Sequence, residues 1–187
     1  MNAHAIQDTF SDNHCIGCGP DNDLGLRIKS MWCGDLETEC YFHPEGHMTA
    51  APSTVLNGGI IATLIDCHSV CTAVGYGRRL DGLHHGEPGP LFATGSMEIK
   101  YLRPARIDRP VHLRAKITGL TGTKTVVVCT LHSDGALCAE ATVVAFRVPH
   151  GWGSQCGPRG TQRIPAPNQS LGGLSASSDR ADLAKTA

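Results

Sequence analysis

The sequence predicts an α+β fold in which an antiparallel sheet of about six strands wraps around one long central helix. Three observations predict it. The segment from Thr54 to Tyr76 is apolar on nearly all sides, and a helix without a broad polar face is a buried helix. Two strand-like runs precede this segment and four follow it. The last connections between strands are short and carry glycine, as antiparallel hairpins do.

The chain has 187 residues, room for one domain with a tail rather than two ordinary domains. Lys plus Arg number 16 against 17 Asp plus Glu, so a nucleic-acid partner, which would demand a basic excess, is not expected. Met1 to Phe10 has no basic stretch leading into an apolar one, so no secretory signal is expected there. No uninterrupted apolar run reaches the roughly 20 residues that a membrane span requires. The expectation is a soluble, cytoplasmic protein with no membrane partner. Its nine cysteines are then free thiols packed as small hydrophobes. Cys67, Cys71, Cys129 and Cys138 fall within apolar segments and are assigned to the core or an interface.

In chain order, residues 1–13 read as a flexible arm, since they are polar and lack periodicity. Leu24 to Ser30 alternates like a strand, and Leu36 to Phe42 is its partner across the turn at Cys33-Gly34-Asp35. A Pro- and Gly-containing loop, His43 to Ser53, leads to the helical segment, and a Gly, His and Pro loop from Arg78 to Pro90 leaves it. Four strands follow as a meander: Phe92 to Leu102, Val111 to Leu120, Lys124 to Ser133 and Ala136 to Val148. The ordered domain spans 14–149. Residues 150–187 are rich in Gly, Pro, Ser, Gln and Ala and cannot bury enough apolar surface to offset their ordering entropy, so a disordered tail is expected there.

The chemistry concentrates on the helix. Between Glu45 and Arg78 the only formally charged side chain is Asp66, in the middle of Thr63-Leu64-Ile65-Asp66-Cys67-His68. Burying a carboxylate costs several kcal/mol unless it is paired or neutralised. Stability alone rarely places one there, although a structural aspartate bonded to Ser69, Thr63 or the sheet backbone is the competing explanation. Upstream, Asn57-Gly58-Gly59 opens the same helix. Helix N-termini present unpaired N–H groups with partial positive charge, and glycines let a ligand approach them. Such a turn can hold a carbonyl oxygen as it becomes an oxyanion. The plainer role is Asn as a cap with glycines for tight packing.

Gly58 and Asp66 lie eight positions apart, roughly 12 Å along a helix at ~1.5 Å per residue. They do not reach one reacting carbonyl from a single chain. Two such helices packed antiparallel bring Gly58 of one subunit to Asp66 of the other, which predicts a two-fold homodimer with two sites across its interface.

The run Asn57-Gly58-Gly59-Ile60-Ile61-Ala62-Thr63-Leu64-Ile65-Asp66 resembles the His-Gly-Gly…Asp helix of hotdog-fold acyl-CoA thioesterases, in particular the phenylacetate-pathway (PaaI-type) and 4-hydroxybenzoyl-CoA thioesterases. Ala93 to Ala105, with Tyr101, Arg103 and Pro104, is similar to the strand that follows in that family. Cys15-Ile16-Gly17-Cys18-Gly19-Pro20-Asp21-Asn22-Asp23-Leu24-Gly25-Leu26 resembles the Cys-x-x-Cys-Gly opening of one branch. The resemblance covers about residues 14 to 148. It implies the hotdog fold, hydrolysis of an acyl-CoA, no metal or other cofactor, and homodimers that often pair into tetramers.

Carried over by position, the resemblance makes Gly58 the oxyanion donor with Gly59 supporting the turn, and Asp66 the general base or nucleophile. It makes Thr94 the hydroxyl that positions the attacking water or the carboxylate, and sets Arg103 near the coenzyme A phosphates. Two departures stand out. Asn57 replaces the usual His, so this position caps or donates but takes up no proton. Ala51 stands where some relatives carry Asn or Gln, which leaves His47 or Asn57 to contact the substrate. These departures keep a second function open, an acyl-CoA-binding domain that senses or carries its ligand without cleaving it.

Cys15-x-x-Cys18 supplies two of the four ligands that structural zinc needs. His14, Cys33 and Cys40 fit no standard spacing with it, so the pair reads as a tight glycine turn and no metal is expected. Of the ten histidines, His84 and His85 fall in a solvated loop. His68 sits on a different helical face from Asp66 and forms no dyad with it, which argues against a hydratase of the same fold.

Overall fold

The computed structural model of the protein describes residues 4–84 and 86–152. Six strands and one long helix form it: β1 (Met31–Trp32), β2 (Glu37–Phe42), α1 (Gly58–Leu80), β3 (Leu91–Tyr101), β4 (Val111–Thr121), β5 (Lys124–Ser133) and β6 (Ala136–Val148). All strand pairs are antiparallel, and the sheet order is β1-β2-β4-β5-β6-β3.

The inward side of the sheet follows the period of two that strands impose. Val111, Leu113, Ala115 and Ile117 on β4 are buried, and so are Val127, Cys129 and Leu131 on β5. They face Ile61, Leu64, Ile65, Cys67 and Cys71 of α1, so the core is the layer between helix and sheet. The β5–β6 turn uses left-handed residues at Asp134 (φ 50°) and Gly135 (φ 76°), and Gly122 (φ 57°) does the same between β4 and β5.

Four sequence expectations change. First, the last four strands are not a simple meander. Only β4, β5 and β6 are; β3 crosses over and pairs with the far side of β6 as an edge strand. Short-range turn signals identify hairpins but carry no information on where a long connection lands.

Second, Leu24 to Ser30 is not a strand; the first paired residues are Met31 and Trp32. The backbone of this run is engaged elsewhere, with Leu26 N–H on Ile16 O and Ile28 N–H on Gly17 O, and Arg27 has a positive φ of 51°.

Third, the N-terminal segment is docked rather than loose. Ile6–Thr9 forms a 3-10 turn, Ile6 enters the core, and Gln7 is fully buried. Gln7 donates to Ser30 Oγ (2.9 Å) and accepts from Ser30 N–H (2.8 Å). Ser30 Oγ in turn meets His68 Nδ1 at 2.8 Å, and Thr38 links His68 to Thr72. Burial pushes the His68 imidazole down to about 4; neutral, it bridges two hydroxyls. A polar chain therefore ties the arm to α1. Gln7→Ala strips a partner from the buried Ser30 amide, which costs about 1–3 kcal/mol. A lower urea midpoint with unchanged slope is the expected reading.

Fourth, α1 continues to Leu80, four residues beyond the predicted end. It is 23 residues long and its most apolar 18-residue stretch has a mean hydropathy of 1.3, the length and composition of a membrane span, against the expectation drawn from uninterrupted runs. Within the fold 61% of its most apolar stretch is buried, by the sheet and by the N-terminal segment docked on it. The expected tail, apart from His150 to Trp152, lies outside the described residues.

Candidate active site

Asn57 caps α1 from an extended conformation, its side-chain oxygen accepting from Gly59 N–H at 2.7 Å. The cap takes up the Gly59 amide and leaves the Gly58 amide outside that bond. Gly58 is held from the other side. Tyr101, the last residue of β3, donates its hydroxyl to Gly58 O at 2.9 Å, and its ring lies 3.5 Å from where a Cβ on Gly58 would stand. The backbone of Asn57 is fixed as well, donating to Met48 O at 2.9 Å. The turn is thus pinned by three elements before any ligand arrives.

Asp66 lies two turns along the same helix. Gly59, Ala62, Thr63, Asp66 and Val70 form the stripe of α1 that the sheet does not fully cover. Burial raises the carboxyl above the usual aspartate range, opposed by a hydrogen bond that Thr94 Oγ1 donates to Oδ1 at 2.6 Å. That partner is not one of the structural partners weighed from the sequence, Ser69 or Thr63; Thr63 bonds Gly59 O instead.

A bulge aims Thr94 at the carboxylate. The register of β3 against β6 shifts between Thr94 and Ser96, leaving Gly95 extra, and a bulge bends the strand and re-aims its side chains. A Cβ on Gly95 would sit 2.3 Å from the Phe146 ring, so glycine permits the close approach of the two strands.

Asp66 and Thr94 line a cleft of about 810 Å³ whose walls include Val70, Val74, Phe92 and the docked N-terminal segment. Its lining combines these apolar side chains with polar and charged ones, Asp8, Asp12, Arg78 and Glu87 among them, so it suits a ligand with both an apolar and a polar part.

The remaining predicted residues lie apart from this pair. His47 is exposed and faces Glu45 at 3.5 Å. Ala51 is exposed on the loop before the cap. Arg103 is exposed and donates to Leu137 O at 3.2 Å. Both His47 and Arg103 are close in sequence to residues that hold the helix N-terminus, Met48 and Tyr101. Sequence reasoning gave Tyr101 no role; its only signal was the recurrence of a tyrosine in the strand after the helix. His68 is buried away from Asp66, as its helical position implied.

A sequence model of the thioesterase superfamily matches residues 54–143, the stretch that holds the cap, Asp66 and Thr94. Among curated proteins none matches the chain. Among solved structures, a thioesterase superfamily protein from Shewanella loihica is 31% identical, with 76% of this chain and 99% of that one covered and a TM-score of 0.56. The PaaI protein of the E. coli phenylacetic acid degradation operon aligns at 13% identity over 66% and 81% of the two chains, with a TM-score of 0.55. A hypothetical thioesterase from Streptococcus pneumoniae, solved with coenzyme A, aligns at 16% identity over 65% and 88%, with a TM-score of 0.54. These last two share the fold, a six-stranded antiparallel sheet around one helix, the hotdog architecture. With nearly a third of its aligned residues shared along the full length of the Shewanella protein, the chain belongs to the thioesterase superfamily.

Proposed function

We propose that the protein hydrolyses an acyl-CoA thioester to the free acid and CoA, at two sites across a homodimer interface. The observation that carries this reading is the Asp66–Thr94 pair: a desolvated carboxylate, oriented by a 2.6 Å hydrogen bond, on the open stripe of an otherwise buried helix. The coenzyme A in the Streptococcus pneumoniae relative supports the substrate class.

The dimer follows from two features on the same side of the molecule. The 11-residue strand β3 is a sheet edge, and long free edges are covered or paired in stable proteins. Asp66, bonded to β3, lies on the uncovered stripe of α1. Pairing two copies there covers both, and antiparallel helices set Gly58 of one subunit opposite Asp66 of its partner. Dimers of dimers are compatible with the same contact.

In the reaction, the thioester oxygen rests on the Gly58 N–H, where the helix N-terminus favours developing negative charge. Asp66 takes a proton from water as the water oxygen attacks the carbonyl carbon. The alternative is direct attack by the carboxylate, giving a mixed anhydride that water then cleaves. The tetrahedral intermediate expels CoA as a thiolate, a good leaving group that needs no strong general acid. Thr94 holds the carboxylate oxygen that does not act. Arg103, exposed two residues beyond Tyr101, is the position for the phosphates of CoA, and exposed His47 contacts the substrate in place of the polar side chain missing at Ala51. The chemistry requires no metal or organic cofactor.

Incubating the protein with a panel of acyl-CoAs and a thiol reagent tests the proposal. Released CoA is the expected result and its best substrate names the acyl group; binding without release assigns a sensor or carrier instead. Thr94→Val removes the donor at nearly constant volume. A hydrogen bond to a charged group is worth about 1.5–3 kcal/mol, so kcat is expected to fall about ten- to a hundred-fold, with Thr94→Ser near wild type.

A further inference from the structure

Apart from the proposed catalytic groups, one side-chain cluster stands out. The thiols of Cys15, Cys18 and Cys67 converge with all three sulfur atoms within 4.8 Å of one another. Cys15 Sγ and Cys67 Sγ are 3.7 Å apart. Two thiolates on one tetrahedral zinc, at bond lengths of about 2.3 Å, sit about 3.8 Å apart. Cys71 lies one helical turn beyond Cys67, therefore on the same face of α1, and it lines the same cleft as these three thiols although it stands outside their 4.8 Å group. The other described cysteines behave differently. Cys40, Cys129 and Cys138 are buried singly, their sulfurs against backbone carbonyls, and Cys33 is exposed.

The backbone around the cluster is shaped for convergence. Residues 15–19 form a tight knuckle closed by Gly19 N–H on Cys15 O at 2.9 Å. Gly17 lies so close to the helix that a Cβ there would be 2.3 Å from Cys67 Sγ. A Cys-x-x-Cys knuckle facing two cysteines at i and i+4 of a helix supplies the four soft ligands that structural zinc takes.

We infer that Cys15, Cys18, Cys67 and Cys71 form a tetrahedral thiolate site for zinc that staples the N-terminal segment to the helix beside Asp66. His14, Cys33 and Cys40, the partners weighed from the sequence, do not join it: His14 is on Asp12 and Asp21, and the two cysteines are elsewhere. On binding, the cysteines lose their protons and the metal closes the loop from Cys18 to Cys67, adding its binding free energy to folding. No oxidant or reductant takes part. The site is independent of whether the enzyme cleaves acyl-CoA.

The test uses the full chain without a polyhistidine tag, purified from zinc-supplemented cells. Elemental analysis after gel filtration is expected to find one zinc per chain. Cys15→Ser and Cys18→Ser should lose it, and Cys33→Ser should keep it. Cobalt exchanged into the wild type should show thiolate charge-transfer absorption and the intense visible bands of a tetrahedral site. A chelator should lower the melting temperature of the wild type and leave that of Cys18→Ser unchanged, a comparison that holds even if the variant is less stable from the outset. Substoichiometric zinc, iron in its place, full zinc retention by Cys18→Ser, an octahedral cobalt spectrum, or a disulfide between Cys15 and Cys67 in protein prepared without oxidant would each overturn the assignment.

Discussion

Asp66→Asn is expected to lower kcat/KM by about a thousand-fold, within the range of a positioned general base or nucleophile. The substitution preserves shape. The amide oxygen still accepts from Thr94 Oγ1, so the 2.6 Å contact and the bulge of β3 need not rearrange. What disappears is the ability to take a proton or attack carbon. Stability should hold or rise, because burial disfavours the charged carboxylate and the amide removes that penalty. Active sites commonly trade stability in this direction. The measurement is steady-state turnover beside a thermal melt. Turnover equal to wild type in a folded variant would remove Asp66 from the mechanism, and a lower melting temperature would recast it as a structural group.

Gly58→Pro should lower kcat about a hundred- to thousand-fold, the loss seen when one oxyanion donor is deleted. Proline is the informative replacement here because it removes the N–H and little else. Gly58 is the first helical residue, where proline is favoured. Asn57 sits at φ −62° and ψ 135°, the extended region that a following proline requires. A Cβ at this position would lie 3.5 Å from the Tyr101 ring, an ordinary contact.

The two variants together test the interface. In a mixed dimer of Asp66→Asn and Gly58→Pro chains, one site has both defects and the other has neither. Random exchange of equal amounts is then expected to restore about a quarter of wild-type activity. If Gly58 and Asp66 served one site within a chain, mixing would restore nothing.

Much of this was legible in the sequence because it is local. An uninterrupted apolar surface from Ile60 to Val74 announces a buried helix, one aspartate within it announces a cost, and Asn-Gly-Gly before it announces a cap. The hairpins around β5 follow from glycine at two turns. The same local logic failed at Leu24 to Ser30, where an alternating pattern is spent on a loop that packs against the Cys15–Gly19 knuckle. It failed again for the arm, where a polar Gln7 is buried because Ser30 satisfies it. Polarity predicts exposure only when no partner waits in the fold.

By itself, then, the sequence determined the rod, the carboxylate inside it, the capped turn at its tip and five of the six strands that wrap it. Tertiary structure decided which strand stands beside the carboxylate: β3 at the sheet edge, bulged at Gly95 so that Thr94, 28 residues from Asp66, reaches it. It also decided that Tyr101 seals the Gly58 turn and that Cys67 meets Cys15 and Cys18 rather than a neighbour in sequence. The physical reason is range. Side-chain periodicity records which face of an element is apolar, whereas the partner met by that face is chosen by packing and long-range hydrogen bonds across the whole chain.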